Sequence, residues 1–347
     1  MLVLAGNRTN LYRAFSSDSF KNLTNIFELN LNRTAIDSLY HDVFENAKKM
    51  TKLDLSHNFI DSIDENAWNG LVSLRELNLS NNILRYLPSR RFKGLPDLEV
   101  LDLSHTQITN VNNGLLGGLK KLKKLRISGN RMFSVQRSAL DSDQQLEHLK
   151  FLDLSSNNLG NTEDDLASEF FSSAPNLEVL DLRHNIINGL KENHFQNLTR
   201  LRIVHLSSAN LRRLGDKAFY WPALEYLDLS NNQLESLPNL SGSANLRFLG
   251  LSNNQLTMIE HKAVSSLNLN YLDLSKNRLG AISSSAFQSS KVRQLKLANN
   301  RHLNVSSVRA ALSGWMDLAE LDLSSCNVQD SDLTGEPFHN LVALPTL

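Results

Sequence analysis

Residues 74–95 read LRELNLSNNILRYLPSRRFKGL, and this stretch decides the fold. Apolar residues stand at its first, fourth, sixth and eleventh positions, and an asparagine stands at its ninth. The pattern recurs along the chain, with first apolar positions at Ile26, Met50, Leu74, Leu98, Leu122, Leu149, Leu177, Leu201, Leu224, Leu246, Leu269, Val292, Leu318 and Leu344. Because these starts are 22 to 28 residues apart, we predict one continuous array of about 14 repeats over residues 1–347.

Each repeat is predicted to contribute one short strand. In the repeat that begins at Leu224, alternation places Leu227 and Leu229 on one face, and Tyr226 and Asp228 on the other. A second apolar set, often led by Phe or Trp, marks the segment that returns to the next strand. One repeat cannot bury both sets alone, so neighbours must stack. The sequence thus predicts an α/β solenoid with a parallel β-sheet on its concave face and irregular or short helical segments on its convex face.

A polar side chain is needed where the chain turns after each strand, because backbone groups are left unpaired there. Asparagine suits this position since it both donates and accepts hydrogen bonds. The preceding residue, for example Asn231, is expected to face solvent. The predicted structural ladder consists of Asn58, Asn82, Asn130, Asn157, Asn185, Asn232, Asn254, Asn277, Asn300 and Cys326. As a ladder member, the Cys326 thiol is expected to be buried and to donate weakly to the turn.

The run L-x-x-L-x-L-x-x-N-x-L-x-x-L-x-x-x-x-F-x-x-L, which residues 74–95 follow closely, resembles the "typical" leucine-rich repeats of animal extracellular proteins. The resemblance covers essentially the whole chain and implies a horseshoe-shaped array. The chain looks most similar to chaoptin-like adhesion proteins and Toll-type receptor ectodomains, which implies an extracellular or cell-surface location and a protein partner. Such arrays usually end in cysteine-rich caps. Since this chain has one cysteine, we expect an array truncated at both ends, with any export signal or anchor outside it.

Composition argues against several functions. The chain has 36 basic and 36 acidic residues, so its net charge of zero does not favour nucleic acid or an anionic membrane as partner. No apolar run reaches the roughly 18 residues of a membrane span, so no direct membrane insertion is expected. The sequence also lacks the short motifs of nucleophilic, phosphate-binding and zinc sites. We therefore expect no enzyme, no cofactor and no metal.

An apolar column is predicted on the concave face of the middle repeats. Its members occupy the outward position before the second strand leucine, and they are Phe151, Val179, Ile203, Tyr226, Phe248 and Tyr271. Earlier repeats carry mostly charge at this position, as at Glu28, Lys52, Glu76 and Lys124. Contiguous apolar area of this kind marks a contact site, and Tyr and Phe are common anchors. The column either binds a protein, with a second copy of the chain as one option, or reflects residue usage in this repeat class.

The repeats within 122–176 are irregular, at 27 and 28 residues. Either they are tolerated surface variation or they project a binding loop around the acidic residues 163–169. The basic run 120–126 just before them is either a solvated face or a site for a sulfated polysaccharide. Asp153 and Asp181 could share a calcium ion, against which stands the frequency of Leu-Asp-Leu in this repeat class. Asn22 and Asn197 lie in equivalent F-x-N-L-T settings and are candidates for glycosylation.

The leading functional hypothesis is an extracellular module for protein–protein interaction, within an adhesion protein or a receptor ectodomain. A soluble secreted carrier or matrix protein is the first alternative. A cytosolic scaffold is the second, and the lone thiol is consistent with it. The fold does not dictate the ligand.

Overall fold

The computed structural model describes residues 1–6, 20, 22–111, 114–140, 144–160, 166, 168–192, 194–195, 197–216, 218–313 and 317–329. The chain forms two compact units, Met1–Leu180 and Asp181–Leu347. We call them unit 1 and unit 2.

Unit 1 is built on a parallel main sheet with one strand per repeat. Its strands are Leu2–Val3, Glu28–Asn30, Lys52–Asp54, Glu76–Asn78, Val100–Asp102, Lys124–Arg126, Phe151–Asp153 and Val179–Asp181, of which the last residue already belongs to unit 2. Minor strands follow some of the turns: Ser38–Leu39 pairs with Ser62–Ile63, and Asn110–Val111 pairs with Ser134–Val135. The return segments also hold a 3-10 turn, Arg137–Ala139, and a short helix, Ser168–Ser172.

Unit 2 repeats this plan. Its main strands are Ile203–His205, Tyr226–Asp228, Phe248–Gly250, Asn268–Asp273, Lys291–Lys296 and Glu320–Asp322, all paired in parallel. Gly189–Leu190 pairs with Arg213–Leu214, Met258–Ile259 pairs with Ala281–Ile282, and the helix Val305–Ala311 lies in a return segment. The predicted parallel-strand solenoid is therefore confirmed. No helix among the described residues is both long and apolar enough to cross a membrane.

Burial follows the predicted alternation within each strand. The strands pair in register, so that Leu227 lies beside Leu249 and Leu249 beside Leu272. These leucines are fully buried, and each contributes about 1.5–3 kcal/mol through removal from water. On the return side of unit 1, the rings of Trp68 and Phe92 stack with centroids 6.2 Å apart. Two layers of side chains, one from the strands and one from the return segments, thus form each core.

Asn232 shows how a ladder residue works. Its Nδ2 donates to the carbonyls of Leu229 in its own repeat, at 2.9 Å, and of Leu206 in the preceding repeat, at 2.8 Å. Its Oδ1 accepts from the amides of Ala209 and Leu211, both at 3.0 Å. One buried side chain therefore satisfies four backbone groups on two repeats, which a side chain that only donates or only accepts could not do.

The residue before each ladder position adopts a left-handed backbone conformation. Asn231 has φ +56°, and its Oδ1 accepts from Nδ2 of Asn253, the equivalent residue of the next repeat, at 2.8 Å. The side chain of Asn231 is exposed, as expected from the sequence. Most other residue types, however, would be strained in its backbone conformation. The turn therefore constrains two consecutive residues, of which sequence analysis identified one.

These two constraints predict different costs. Asn232→Ala leaves buried backbone groups unpaired and should lower the free energy of unfolding by about 1–3 kcal/mol. Asn231→Gly keeps the left-handed conformation accessible and should change the free energy of unfolding by only a few tenths of a kcal/mol. Urea titrations of the two variants against the wild type measure both values. Equal losses would contradict the assigned turn geometry.

Candidate binding surface on the main sheet

The first and third residues of each main strand point away from the core, and we call the surface that they form the open face. In unit 1 this surface is largely charged, as the ion pair between Lys52 and Glu76 at 2.7 Å illustrates. In unit 2 three rings lie side by side on it. We call Tyr226, Phe248 and Tyr271 the aromatic stack.

The rings of the aromatic stack are parallel. The centroids of Tyr226 and Phe248 are 4.1 Å apart with an interplanar angle of 8°, and those of Phe248 and Tyr271 are 4.9 Å apart at 5°. The three residues are directly paired across neighbouring strands, whose spacing of about 4.8 Å is close to the preferred separation of stacked rings. The sheet itself therefore sets the ring spacing. All three residues are half-buried, and Phe248 is stacked on both sides.

Gly250 makes room for this arrangement. It stands where neighbouring repeats carry Asp228 and Asp273, on the same strand as Phe248. A Cβ atom at Gly250 would lie 2.9 Å from Oδ1 of Asp228 and 3.3 Å from Cε1 of Phe248. Because Gly250 has no side chain, the Asp228 carboxylate and the Phe248 ring can both lie close to its Cα atom. Sequence analysis did not single out Gly250, although its departure from Leu-Asp-Leu was the available signal.

Polar groups border the aromatic stack. The His205 ring lies 5.0 Å from the Tyr226 ring at an angle of 56°. Burial raises the pKa of both tyrosines above the ordinary value, and the nearby carboxylates of Asp228 and Asp273 raise the pKa of Tyr226 and Tyr271, respectively, further. Both hydroxyl groups therefore stay protonated through the physiological range, and that of Tyr271 hydrogen-bonds with the Asp273 carboxylate. The surface offers apolar ring edges flanked by two hydroxyls and two carboxylates.

The remaining column residues have different surroundings. In unit 2, Ile203 is half-buried beside Tyr226. In unit 1, Phe151 is covered by cations: Nζ of Lys124 lies 4.4 Å and Cζ of Arg126 lies 5.5 Å from its ring centroid. Val179 is half-buried on the last strand of that unit. The column therefore does not form a uniform apolar stripe, because the charged side chains of Lys124 and Arg126 pack over the Phe151 ring.

The basic run is mostly neutralised by the preceding repeat. Lys121 pairs with Asp97 at 2.7 Å and Lys123 pairs with Glu99 at 2.8 Å. Desolvation, followed by repulsion from Arg126, lowers the pKa of Lys124. These contacts favour a solvated, paired face over a polysaccharide site. The acidic residues 163–165 of the irregular repeats lie outside the described residues.

The aspartates considered for calcium have other partners. In unit 1, Oδ1 of Asp153 accepts from the amide and the hydroxyl of Ser155, at 3.0 and 2.7 Å. In unit 2, Asp181 binds Arg183 through both carboxylate oxygens, with a shortest distance of 2.6 Å. Among the described residues, no group of three or more His, Cys, Asp or Glu side chains is arranged to hold a metal ion.

The ladder asparagines from Asn58 to Asn300 are all buried. Cys326 differs from them because it is only half-buried, which still raises the pKa of its thiol. Its Sγ donates to the carbonyl of Leu297 at 3.2 Å, which reproduces the bond that an asparagine at this position makes to the preceding repeat. The side chains of the two glycosylation candidates, Asn22 and Asn197, are exposed.

Comparison with known proteins agrees with this architecture. A family model described as "Leucine rich repeat" matches residues 24–84, 77–132, 147–208 and 199–256. The chain belongs to the leucine-rich repeat family. A model described as "BspA type Leucine rich repeat region (6 copies)" also matches residues 239–310. The family predicted from the sequence is thus confirmed.

Two curated relatives are receptor or regulator proteins by name. Leucine-rich repeat-containing G-protein coupled receptor 5 of Rattus norvegicus is 39% identical over 112 residues, which cover 32% of this chain and 12% of the receptor. Transforming growth factor beta activator LRRC33 of Danio rerio is 29% identical over 143 residues, which cover 38% of this chain and 20% of the relative. The matches thus span a fifth or less of either relative's length.

The solved structure of the Toll–Spatzle complex of Drosophila contains a similar fold. It superposes with a TM-score of 0.70 at 23% sequence identity, over 81% of this chain and 40% of that chain. At this identity the similarity supports the fold alone.

Gly250→Ala tests the aromatic stack. The added Cβ should displace Phe248 or the Asp228 carboxylate and lower the free energy of unfolding by about 1–3 kcal/mol, the usual cost of overpacking. Gly280→Ala is the matched control, because a Cβ atom added there would lie 3.9 Å from the nearest atom outside its chain neighbours, the carbonyl oxygen of Thr257. This variant should be as stable as the wild type or more stable. Denaturant titration and near-ultraviolet circular dichroism measure stability and ring packing. The same stability and spectrum in both variants would show that the rings do not depend on Gly250.

Proposed function

We propose that this chain is an extracellular module for protein–protein interaction, within a cell-surface receptor or adhesion protein, and that it binds a protein partner through the aromatic stack on the open face of unit 2. The observation that carries the proposal is the set of three parallel rings side by side on the open face of unit 2. The names of the relatives, a receptor and a growth-factor activator, support an interaction role. The complex between Toll and Spatzle supports protein binding by a related fold.

The physical case rests on pre-organisation. Each ring packs against a neighbouring ring and extends from a strand whose leucine is buried in the core. Little side-chain entropy therefore remains to be lost when a partner binds. Tyr226 and Tyr271 each present an apolar edge and a polar hydroxyl, a combination that is common at interfaces. The adjacent Asp228 and Asp273 disfavour an acidic partner surface and favour a neutral or basic one.

The paired substitution Tyr226→Ser with Phe248→Ser tests the proposed surface. Partners are first identified by screening the wild-type chain, displayed on beads, against a panel of secreted and cell-surface ectodomains that includes the chain itself. The double variant should fold, as shown by its circular dichroism spectrum, and should bind the identified partner at least 100-fold more weakly, because two anchor side chains are lost.

Tyr220→Ser is the matched control, because this tyrosine is 59% exposed on a return segment of unit 2 and its loss should leave binding unchanged. Undiminished binding by the folded double variant, with loss instead on changing Lys93 or Arg200 on the return segments, would remove the site from the open face.

The proposed compartment predicts a pattern of glycosylation. When the chain is exported from a secretory host, Asn22 and Asn197 should carry N-glycans, because both sequons are exposed on return segments. Asn78 should remain unmodified, because it is half-buried on a main strand and the bond from the amide of Ser80 to its Oδ1, at 3.0 Å, fixes its side chain there. Peptide mass spectrometry reads all three positions. Modification of Asn78 while Asn22 and Asn197 stay bare would contradict the proposal.

A further inference from the structure

One interior column of unit 1 contains an unexpected charge. The residue before the large apolar side chain of the return segment is Val43, Ala67 and Leu115 in three repeats, and all three are buried. The corresponding residue between Ala67 and Leu115 is Arg91, which precedes Phe92. An arginine in a column of small and apolar residues needs a reason, because burying part of a guanidinium group is costly unless the group is paired.

Arg91 has no such pairing within the described part of the chain. Its Nε atom is buried and has no hydrogen-bond partner. It also takes part in none of the ion pairs between described residues. A guanidinium has five N–H groups and strongly favours a carboxylate or phosphate partner. The Nε is shut off from solvent, so only the terminal nitrogens of this guanidinium, which lines a surface pocket, can take a counter-ion from outside the chain.

A pocket lies beside Arg91 because one minor strand is missing. The repeats on either side have the paired strands Ser62–Ile63 and Asn110–Val111, but the segment 83–88 between them forms none. Pro88 stands where the preceding repeat has Asp64, whose amide donates to the carbonyl of Leu39 at 2.8 Å. Proline lacks that donor, so the strand cannot continue. The cavity left on this side has a volume of about 830 Å³.

The lining of this pocket combines cationic and apolar groups. Arg85 and Arg91 are its basic residues, and Asp61 is its acidic one. The Nε of Arg85 donates to Oε1 of Gln107 at 3.2 Å, which orients that guanidinium and leaves its terminal nitrogens available to a ligand. At the rim, Ile83 and Tyr86 are exposed by 38% and 66%. The volume falls in the range of about 300–1,000 Å³ typical of small-ligand sites, and is larger than a single ion requires.

We propose that this pocket binds an acidic side chain of a protein partner, with an adjacent aliphatic side chain resting on Ile83 and Tyr86. A planar carboxylate matches the fork formed by the two terminal nitrogens of Arg91 and can be held by two parallel hydrogen bonds. The excess of one positive charge in the lining complements it. The pocket is lined by residues of unit 1 alone, so this proposal can be tested independently of the aromatic stack of unit 2.

The test uses the full chain and two blocked peptides, acetyl-Leu-Glu-Leu-amide and acetyl-Leu-Gln-Leu-amide, titrated by saturation-transfer-difference NMR. The wild type should bind the glutamate peptide at least tenfold more tightly than its neutral counterpart. Arg91→Ala should abolish this preference and should fold normally, because alanine occupies the same column at position 67. Arg91→Lys should recover only part of it, because an ammonium group cannot form the bidentate pair. Lys93→Ala removes one exposed charge from the same segment and should bind like the wild type.

Three results would overturn the proposal. The first is equal binding of the two peptides by the wild type, and the second is an unchanged preference in folded Arg91→Ala. The third is displacement of the glutamate peptide by inorganic sulfate at equal concentration, which would show a simple anion site without a role for the aliphatic rim. The Tyr226→Ser, Phe248→Ser double variant should bind the glutamate peptide like the wild type, which separates this site from the surface in unit 2.

Discussion

The structure depends on the pairing of backbone groups at the turn after each strand. Where a short strand ends in the interior, its carbonyls and amides have no strand partner and water cannot reach them. In each repeat one side chain supplies the missing hydrogen bonds. Asn277, for example, donates to the carbonyls of Leu274 and Leu251, so the bond that closes one turn also joins it to the preceding repeat. Because local turn geometry and stacking between repeats share the same atoms, neither forms fully without the other. This coupling explains why such an array is cooperative although every contact is local.

In-register stacking has a second effect on the open face. Parallel strands that pair residue for residue place equivalent side chains side by side, so any residue type that recurs becomes a row. Recurring charges form ion pairs, as between Arg126 and Asp102 in unit 1 at 3.6 Å. Recurring aromatics form stacks whose spacing comes from the sheet. The chemistry of the open face is therefore decided by one residue per repeat, while the backbone that presents it stays constant.

Most of the fold follows from the sequence because the buried positions are periodic. The strand leucines, the turn asparagines and the return aromatics repeat with nearly fixed spacing, and those that the structure describes lie where this spacing predicts. Apart from the left-handed turn residues, the features that the sequence analysis did not foresee lie where one repeat differs from its neighbours. Phe151 satisfies the predicted apolar column, but its surroundings depend on the side-chain conformations of Lys124 and Arg126 on the neighbouring strand.

Gly250 and Arg91 depart from the repeat in opposite directions, one by losing a side chain and one by gaining a charge in a column of otherwise buried residues. Their consequences depend on how neighbouring atoms fill or leave space, which a linear pattern does not encode. The left-handed turn residues were visible in the sequence only as an absence of β-branched side chains. That absence becomes meaningful once the backbone conformation is known.

The left-handed residue before each ladder position bears on how such an array can diverge. In unit 2 this position holds His184, Ser208, Asn231, Asn253, Lys276, Asn299 and Ser325, all with positive φ. These side chains differ in charge, size and hydrogen-bonding capacity, yet the backbone beneath them is the same. A duplicated repeat can therefore acquire a new residue at this edge through a single codon change without any shift in the register of its neighbours. Selection can adjust the border of the sheet one repeat at a time, and it is limited only by the exclusion of proline and β-branched residues.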